Sequence, residues 1–122
     1  MRENTLPSSV PNYSVVIPAN NEADNIGPLI GEICATLESQ SFEIICVDDG
    51  SDDGTAETLG KLAKDIPELT FTRHAASAGQ SSAIVSGVRQ ARAAVIITLD
   101  GDGQNDPADI LALLARFNEA PD

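Results

Sequence analysis

Apolar residues in this chain follow two alternating periodicities. Tyr13–Ile17, Phe42–Val47, Leu69–Arg73 and residues 94–99 are short runs rich in β-branched side chains, which predict strands. Pro18 closes the first run. The second is apolar almost throughout, as a strand covered on both faces would be, and the third is more polar, as suits an edge. Between the runs the spacing widens to a helical one: Ile26, Leu29, Ile30, Ile33 and Leu37; Leu59, Leu62, Ala63 and Ile66; Ile84, Gly87, Val88 and Ala91; Ile110, Leu113, Leu114 and Phe117. Each set predicts a helix with one buried stripe.

Local chemistry predicts where those helices begin. Asp24 or Asn25 can cap the first, which leaves Pro28 in its first turn, where a missing N–H costs nothing. Ser51, Asp52 and Asp53 suit the start of the second, and Pro67 ends it. Ser77-Ala78-Gly79-Gln80 fits a capping box for the third, whose far end carries Arg89 and Arg92 against the helix dipole. Asp106 and Pro107 open the fourth. The resulting order, βαβαβαβα with short links, predicts an α/β fold of three layers: a mostly parallel sheet with helices on both faces. Residues 1–12 read as a flexible leader and residues 13–122 as one domain.

In sheets of this kind ligands bind beyond the carboxyl ends of the strands. Every polar, Gly-rich link here follows a strand: PANNE, DDGSDDGT, HAASAGQ and DGDGQND. The four should share one rim. The last holds Asp100 and Asp102 between Gly101 and Gly103. In an extended segment, residues two apart point the same way, so both carboxylates can converge on one point. They would repel each other there unless a cation sat between them.

Composition narrows the partners. Seven basic against nineteen acidic residues give a net charge of −12, which argues against nucleic acid and anionic membrane as direct partners. A phosphate ligand would need a metal or backbone N–H groups. Cys34 and Cys46 lie in apolar runs without metal-type spacing, and read as reduced core residues of a cytoplasmic protein. No signal peptide is evident, and no apolar stretch approaches the roughly 20 residues of a membrane span. The chain holds no Gly-x-Gly-x-x-Gly and no P-loop. A calcium loop counted from Asp49 or from Asp100 meets Gly60 or Leu111 at its twelfth position instead of Glu. His74 is the sole histidine, and without an evident nucleophile beside it no triad can be assembled from the sequence.

Taken together, VVIPANNEADNI, VDDGSDDGT, AGQSSAIVSGVRQAR and LDGDGQNDPADI resemble family 2 glycosyltransferases of the GT-A, Rossmann-like fold. The polyprenyl- and dolichol-phosphate hexosyltransferase branch is nearest, and the resemblance covers residues 13 to 118. It implies a nucleotide-diphospho-sugar transferase fold with strands ordered 3-2-1-4. Pro18, Ala19, Asn20 and Glu22 would line the nucleotide pocket, Asp49 would read the base, and Gly79 and Gln80 would lie near the ribose or diphosphate. Asp100 and Asp102 would form the metal-binding Asp-x-Asp, with Asp100 also at the sugar nucleotide and Gln104 as a further oxygen ligand for Mn²⁺ or Mg²⁺. The implied donor is a UDP- or GDP-sugar and the implied acceptor a lipid phosphate, at the cytoplasmic membrane face in many full-length relatives.

Two positions depart from the family pattern: Asn21 before the Glu, and His74 where Arg-Asn is usual after strand three. Family members also continue for about as many residues again, with the acceptor site and the catalytic base in that second half. The expectation is therefore an incomplete, donor-binding half whose fourth strand has an open edge that invites self-association. A non-catalytic nucleotide- or metal-binding module, or a truncated product without function, is the alternative.

Overall fold

The computed structural model describes residues 10–99. Within them lie β1 (Tyr13–Ala19), α1 (Ala23–Thr36), β2 (Phe42–Asp49), α2 (Thr55–Asp65), β3 (Leu69–His74), α3 (Gln80–Gln90) and β4 (Val95–Thr98). The fourth helix expected from Asp106 lies outside the described residues. The sheet runs β3-β2-β1-β4 and every pairing is parallel. Its register sets Ala19 beside Asp48 and Asp49 beside His74, so the first three strands end level with one another. That flush edge is what brings three loops together.

Alternation along the strands separates two packed faces. Tyr13, Val15, Ile17 and Ala19 of β1, with Ile44 and Cys46 of β2, meet Ile26, Leu29, Ile30 and Ile33 of α1 and Leu59 of α2 in one core. Each fully buried Leu, Ile or Val contributes roughly 1.5–3 kcal/mol relative to exposure. On the opposite face α3 rests so closely on the sheet that a Cβ at Gly87 would run into Val16 Cγ1, with Val47 next to it. Helices thus cover both faces, in three layers. The buried line of α3 runs through Ala83 and Gly87, while Val88, expected inside, is 38% exposed.

Strand ends differ from the sequence expectation by one or two residues, β2 running past Val47 to Asp49, β3 past Arg73 to His74, and β4 spanning only Val95–Thr98; two further boundaries differ for identifiable reasons. β1 continues through Pro18 to Ala19. Val16 accepts the Leu99 N–H on the β4 side. Backbone groups two residues on point the same way, so the donor that Pro18 lacks faces past the end of β4 and breaks no bond to β2. The first helix starts at Ala23, with neither Asp24 nor Asn25 as its cap, and Pro28 becomes its sixth residue, in the second turn. The cause is tertiary: the leading N–H groups find acceptors on another loop, as described below.

The chain is anchored just ahead of β1, where Pro11 is buried and the Asn12 N–H donates to Ser41 O at 2.9 Å. At the same end of the sheet, a polar knot closes the strands. Ser14 Oγ donates to Glu43 Oε2 at 2.6 Å, and the Arg92 N–H (2.8 Å) and guanidinium Nε (3.1 Å) donate to the same carboxylate. Arg92 thus pairs with Glu43, while Arg89 is the cation in the last turn of α3.

Candidate functional site

The first loop is held by the second. Asn20 is exposed at the rim, and its Nδ2 donates to Asp49 O at 2.6 Å. Asn21 takes a left-handed conformation (φ 57°), which Asn tolerates better than most side chains. In that conformation its N–H donates to Ser51 Oγ (2.8 Å) and its Oδ1 accepts from the Asp52 N–H (3.0 Å). The Glu22 N–H donates to Thr55 Oγ1 at 3.0 Å and the Ala23 N–H to Asp53 Oδ2 at 3.2 Å. These are donors that a helix start leaves without intrahelical partners. α1 is therefore capped by residues some thirty positions away. Asp53 also accepts from the Thr55 N–H, but the N-cap position of α2 is Gly54 (φ 96°), and Ser51 and Asp52, expected to cap it, bond to Asn21 instead.

The second loop is held in turn by the third. Asp49, buried at the end of β2, points its carboxylate at the link between β3 and α3. Its Oδ1 accepts from the Ala78 N–H at 2.8 Å and lies 2.7 Å from His74 Nδ1. Its Oδ2 accepts from Ser77 Oγ at 3.0 Å and from the Gly79 N–H at 2.9 Å. Burial alone would raise its pKa, but the Ala78, His74, Gly79 and Ser77 donors outweigh it and hold the group well below the usual carboxylate range. Gly50 (φ 72°) makes the approach possible, since a Cβ there would overlap the backbone of Ala76 and Ser77.

Ser77 does not serve the expected capping box, because its hydroxyl is spent on Asp49 and Gly79 (φ 103°) occupies the N-cap of α3. Asp48 is fully buried. Its Oδ1 accepts from the Ser51 N–H at 3.1 Å, while Oδ2 has no hydrogen-bond partner among the described residues and faces Arg73 Nε at 3.6 Å. Arg73 also donates through Nη2 to Ser51 O. A hollow of about 470 Å³ opens beside this loop, against Gly54, Phe71 and Arg73; it shares Ser51 with the rim but does not reach Asn20, Asp49 or Gly79.

His74 has partners on both ring nitrogens, Asp49 on one side and Ser86 Oγ at 2.9 Å on the other. The order Asp–His–Ser is that of a triad, which the sequence expectation excluded. Ser86, however, lies in the middle of α3, where backbone N–H groups serve the helical ladder and leave no donor pair for an oxyanion. Both cysteines favour the neutral thiol. Burial, then the Asp48 charge, pushes the Cys46 thiol up to about 12, and burial also raises Cys34.

Of the residues expected at the site, Asn20, Asp49 and Gly79 form one linked unit, and Gln80 follows as the first residue of α3. Pro18 and Ala19 are buried at its base, and Glu22 is half-buried with Oε1 turned to Asn25. Asp100, Asp102 and Gln104 lie outside the described residues. Leu99, bonded to Val16 O at 3.1 Å, delivers the chain to the same rim directly before them. Among the described residues no group of three His, Cys, Asp or Glu is placed to hold a metal. Sequence reasoning missed Asn21, Thr55 and Ser77. An Asn before a helix is a signal for left-handed backbone, but partners thirty residues off leave no local trace.

Comparison with known proteins bears on this rim. A family model described as glycosyl transferase family 2 matches residues 14–122. The dolichol-phosphate mannosyltransferase of Mycosarcoma maydis is 37% identical over 117 residues, covering 91% of this chain and 40% of that protein. An undecaprenyl-phosphate 4-deoxy-4-formamido-L-arabinose transferase of Yersinia pestis is 38% identical, covering 97% of this chain and 37% of its own length. A mannosyltransferase from Pyrobaculum calidifontis, solved in complex with GDP-Man and Mn²⁺, superposes with a TM-score of 0.77 at 25% identity, over 94% of this chain and 34% of that one. This chain therefore spans about two fifths of the length of the curated relatives it matches.

Proposed function

This chain belongs to glycosyl transferase family 2, and from that premise we propose that it is the donor-binding part of a hexosyltransferase. The donor is a UDP- or GDP-sugar and the acceptor a polyprenyl or dolichol phosphate. The fold is of the GT-A nucleotide-diphospho-sugar transferase type, and the general rule that such sheets bind ligands beyond their strand ends supports reading the site there. The observation that carries the reading is the locked rim, where Asn20, Asp49 and Gly79 from three different loops are joined by direct hydrogen bonds. Such a rim is preorganised, so little ordering is left to oppose donor binding. A chain with net charge −12 has few cationic side chains to draw a diphosphate, and relatives named for dolichol phosphate and undecaprenyl phosphate support a lipid-phosphate acceptor.

In this reading Asn20 and Glu22 face the nucleotide from the first loop, over a floor of Pro18 and Ala19, and Gly79 and Gln80 approach the ribose or diphosphate. Asp49 can read a base N–H only by releasing one of the four donors it now holds. Asp100, Asp102 and Gln104 supply hard oxygen donors of the kind Mn²⁺ and Mg²⁺ take. A divalent ion held there would neutralise the departing nucleoside diphosphate. Among the described residues β4 pairs only with β1, and we assign its other edge a tendency to self-association. Sedimentation of the 122-residue chain showing a clean monomer at high concentration would count against that edge.

Calorimetry with GDP and UDP tests the main reading. Affinity should rise when Mn²⁺ is added to the parent chain, and the rise should vanish in Asp102→Asn, which keeps the shape and removes a charge. Equal affinity with and without metal in the parent would sink the metal assignment. Binding of neither nucleotide would sink the donor site.

A further inference from the structure

Resting on that donor-site reading, we propose that His74 is a positioning residue of the nucleotide site: bridging Asp49 and Ser86, it holds the Asp49 carboxylate against the Ser77–Gly79 turn. His74 would touch no substrate. It would act through Asp49, whose oxygens collect the Ser77 hydroxyl and the Ala78 and Gly79 N–H groups. A carboxylate on a single rotatable bond can serve that turn only while its plane is fixed. The ring does this from β3, with Nδ1 at 2.7 Å from Asp49 Oδ1 and Nε2 held at 2.9 Å from Ser86 Oγ.

The geometry behind the bridge is a match of periods. Thr72 and His74 are two apart on β3 and point to the same face; Ser86 and Gln90 are four apart on α3 and stack on one stripe. Thr72 Oγ1 donates to Gln90 Oε1 at 2.9 Å, Gln90 Nε2 reaches back to Ser86 O at 3.2 Å, and His74 meets Ser86. Two side-chain bridges thus tie β3 to α3 just below the turn from which Gly79 and Gln80 start the helix. The imidazole spans from Asp49 on β2 across to Ser86 on α3. An Asn in its place can donate to Asp49 but cannot also reach Ser86, and a Leu can do neither.

The test uses the 122-residue chain, with two readouts. The first is amide hydrogen exchange at Ala78 and Gly79; the second is the affinity for GDP and UDP in Mn²⁺. His74→Leu should speed exchange at both amides and weaken nucleotide binding roughly tenfold, the size expected for one hydrogen bond to a charged group. His74→Asn, which restores the donor to Asp49, should recover both to within about threefold, and Ser86→Ala should give a small loss of about two- to threefold. If His74→Leu fails to fold by circular dichroism, His74→Asn and Ser86→Ala decide. Losses at both amides and in affinity that stay within those limits support the role, and a tenfold loss in His74→Asn overturns it. A parent that binds nucleotide while exchange and affinity ignore a folded His74→Leu overturns this inference alone. A parent that binds neither nucleotide removes the donor site and the inference together.

Discussion

Gly87 and Asn21 are positions where one side chain decides whether neighbouring backbones can meet. At Gly87 α3 lies against Val16 and Val47. Gly87→Ala should push the helix off the sheet and cost about 1–3 kcal/mol, the usual range for an overpacked core, despite the better helix propensity of Ala. Urea denaturation would show it as a lower midpoint at unchanged slope. Asn21 combines a left-handed φ with a side-chain bond to the Asp52 N–H. Asn21→Gly keeps the first and loses the second, whereas Asn21→Ala loses both. The Ala variant should be less stable than the Gly variant by about 1 kcal/mol or more. Equal stabilities would mean that the backbone conformation contributes little. The apolar positions around these two residues were legible as core from their spacing. The close approach at Gly87 was not, since a glycine in a helical stripe carries no sign of which side chain it must clear.

At the scale of elements, the helix starts depend on one another. α1 begins where it does because Thr55 and Asp53, at the start of α2, accept from Glu22 and Ala23. Thr55 is fully buried, so Thr55→Val keeps the volume and strands a donor, at roughly 1–3 kcal/mol. Its effect should appear in the wrong helix by sequence: hydrogen exchange should quicken in the first turn of α1 as well as at α2. Loss confined to α2 would argue that the bonds of Asn20, Asn21 and Ala23 hold the two loops without Thr55. Asp24 and Asn25 looked like caps because capping preferences are local, while the acceptors that win are some thirty residues away. The strands were more legible, because continuous apolar runs report burial on two faces directly. β2 and β3 ran on through polar Asp48, Asp49 and His74, which no apolar run includes, and Pro18 misled because a proline ends a strand or continues it according to which neighbour its missing N–H faces.

For the molecule as a whole, buried carboxylates tie stability to pH. Glu43 resembles Asp49: burial would raise its pKa, and the Ser14 and Arg92 donors outweigh that and lower it. Unfolded, both groups take up a proton near the ordinary carboxylate pKa of about 4; folded, they do so only at lower pH. The stability they supply is complete above the unfolded value and is lost as pH falls through the folded ones. Urea midpoints should therefore drop steadily below about pH 4, and Glu43→Gln should flatten that drop while lowering stability at neutral pH. A midpoint independent of pH down to 2.5 would contradict the depressed pKa values. Catalysis is a separate matter at this scale. No residue of these 122 is assigned to the acceptor or to a catalytic base, and loss of acceptor positioning can forfeit roughly 7–11 kcal/mol of barrier lowering. The chain by itself should bind donor without transferring sugar. Labelled UDP- and GDP-hexoses with polyprenyl phosphate and Mn²⁺ are the check, and labelled glycolipid lost in Asp102→Asn would overturn the expectation.

The sequence by itself determined the alternation of buried strands and amphipathic helices, and hence the parallel sheet and the rim where its links gather. Burial on two faces or on one stripe writes itself into local periodicity. Four motifs in order, ending in Asp100-Gly101-Asp102-Gly103, also determined the family. Tertiary structure alone decided what the acidic residues of the second loop do. Asp48 and Asp49 are adjacent and identical in type, yet alternation sends one carboxylate to the Ser51 N–H and Arg73, and the other to His74 and the Ser77–Gly79 turn. Those partners lie up to thirty positions away and meet only because β1, β2 and β3 end level, a relation between strands that no single stretch of sequence contains.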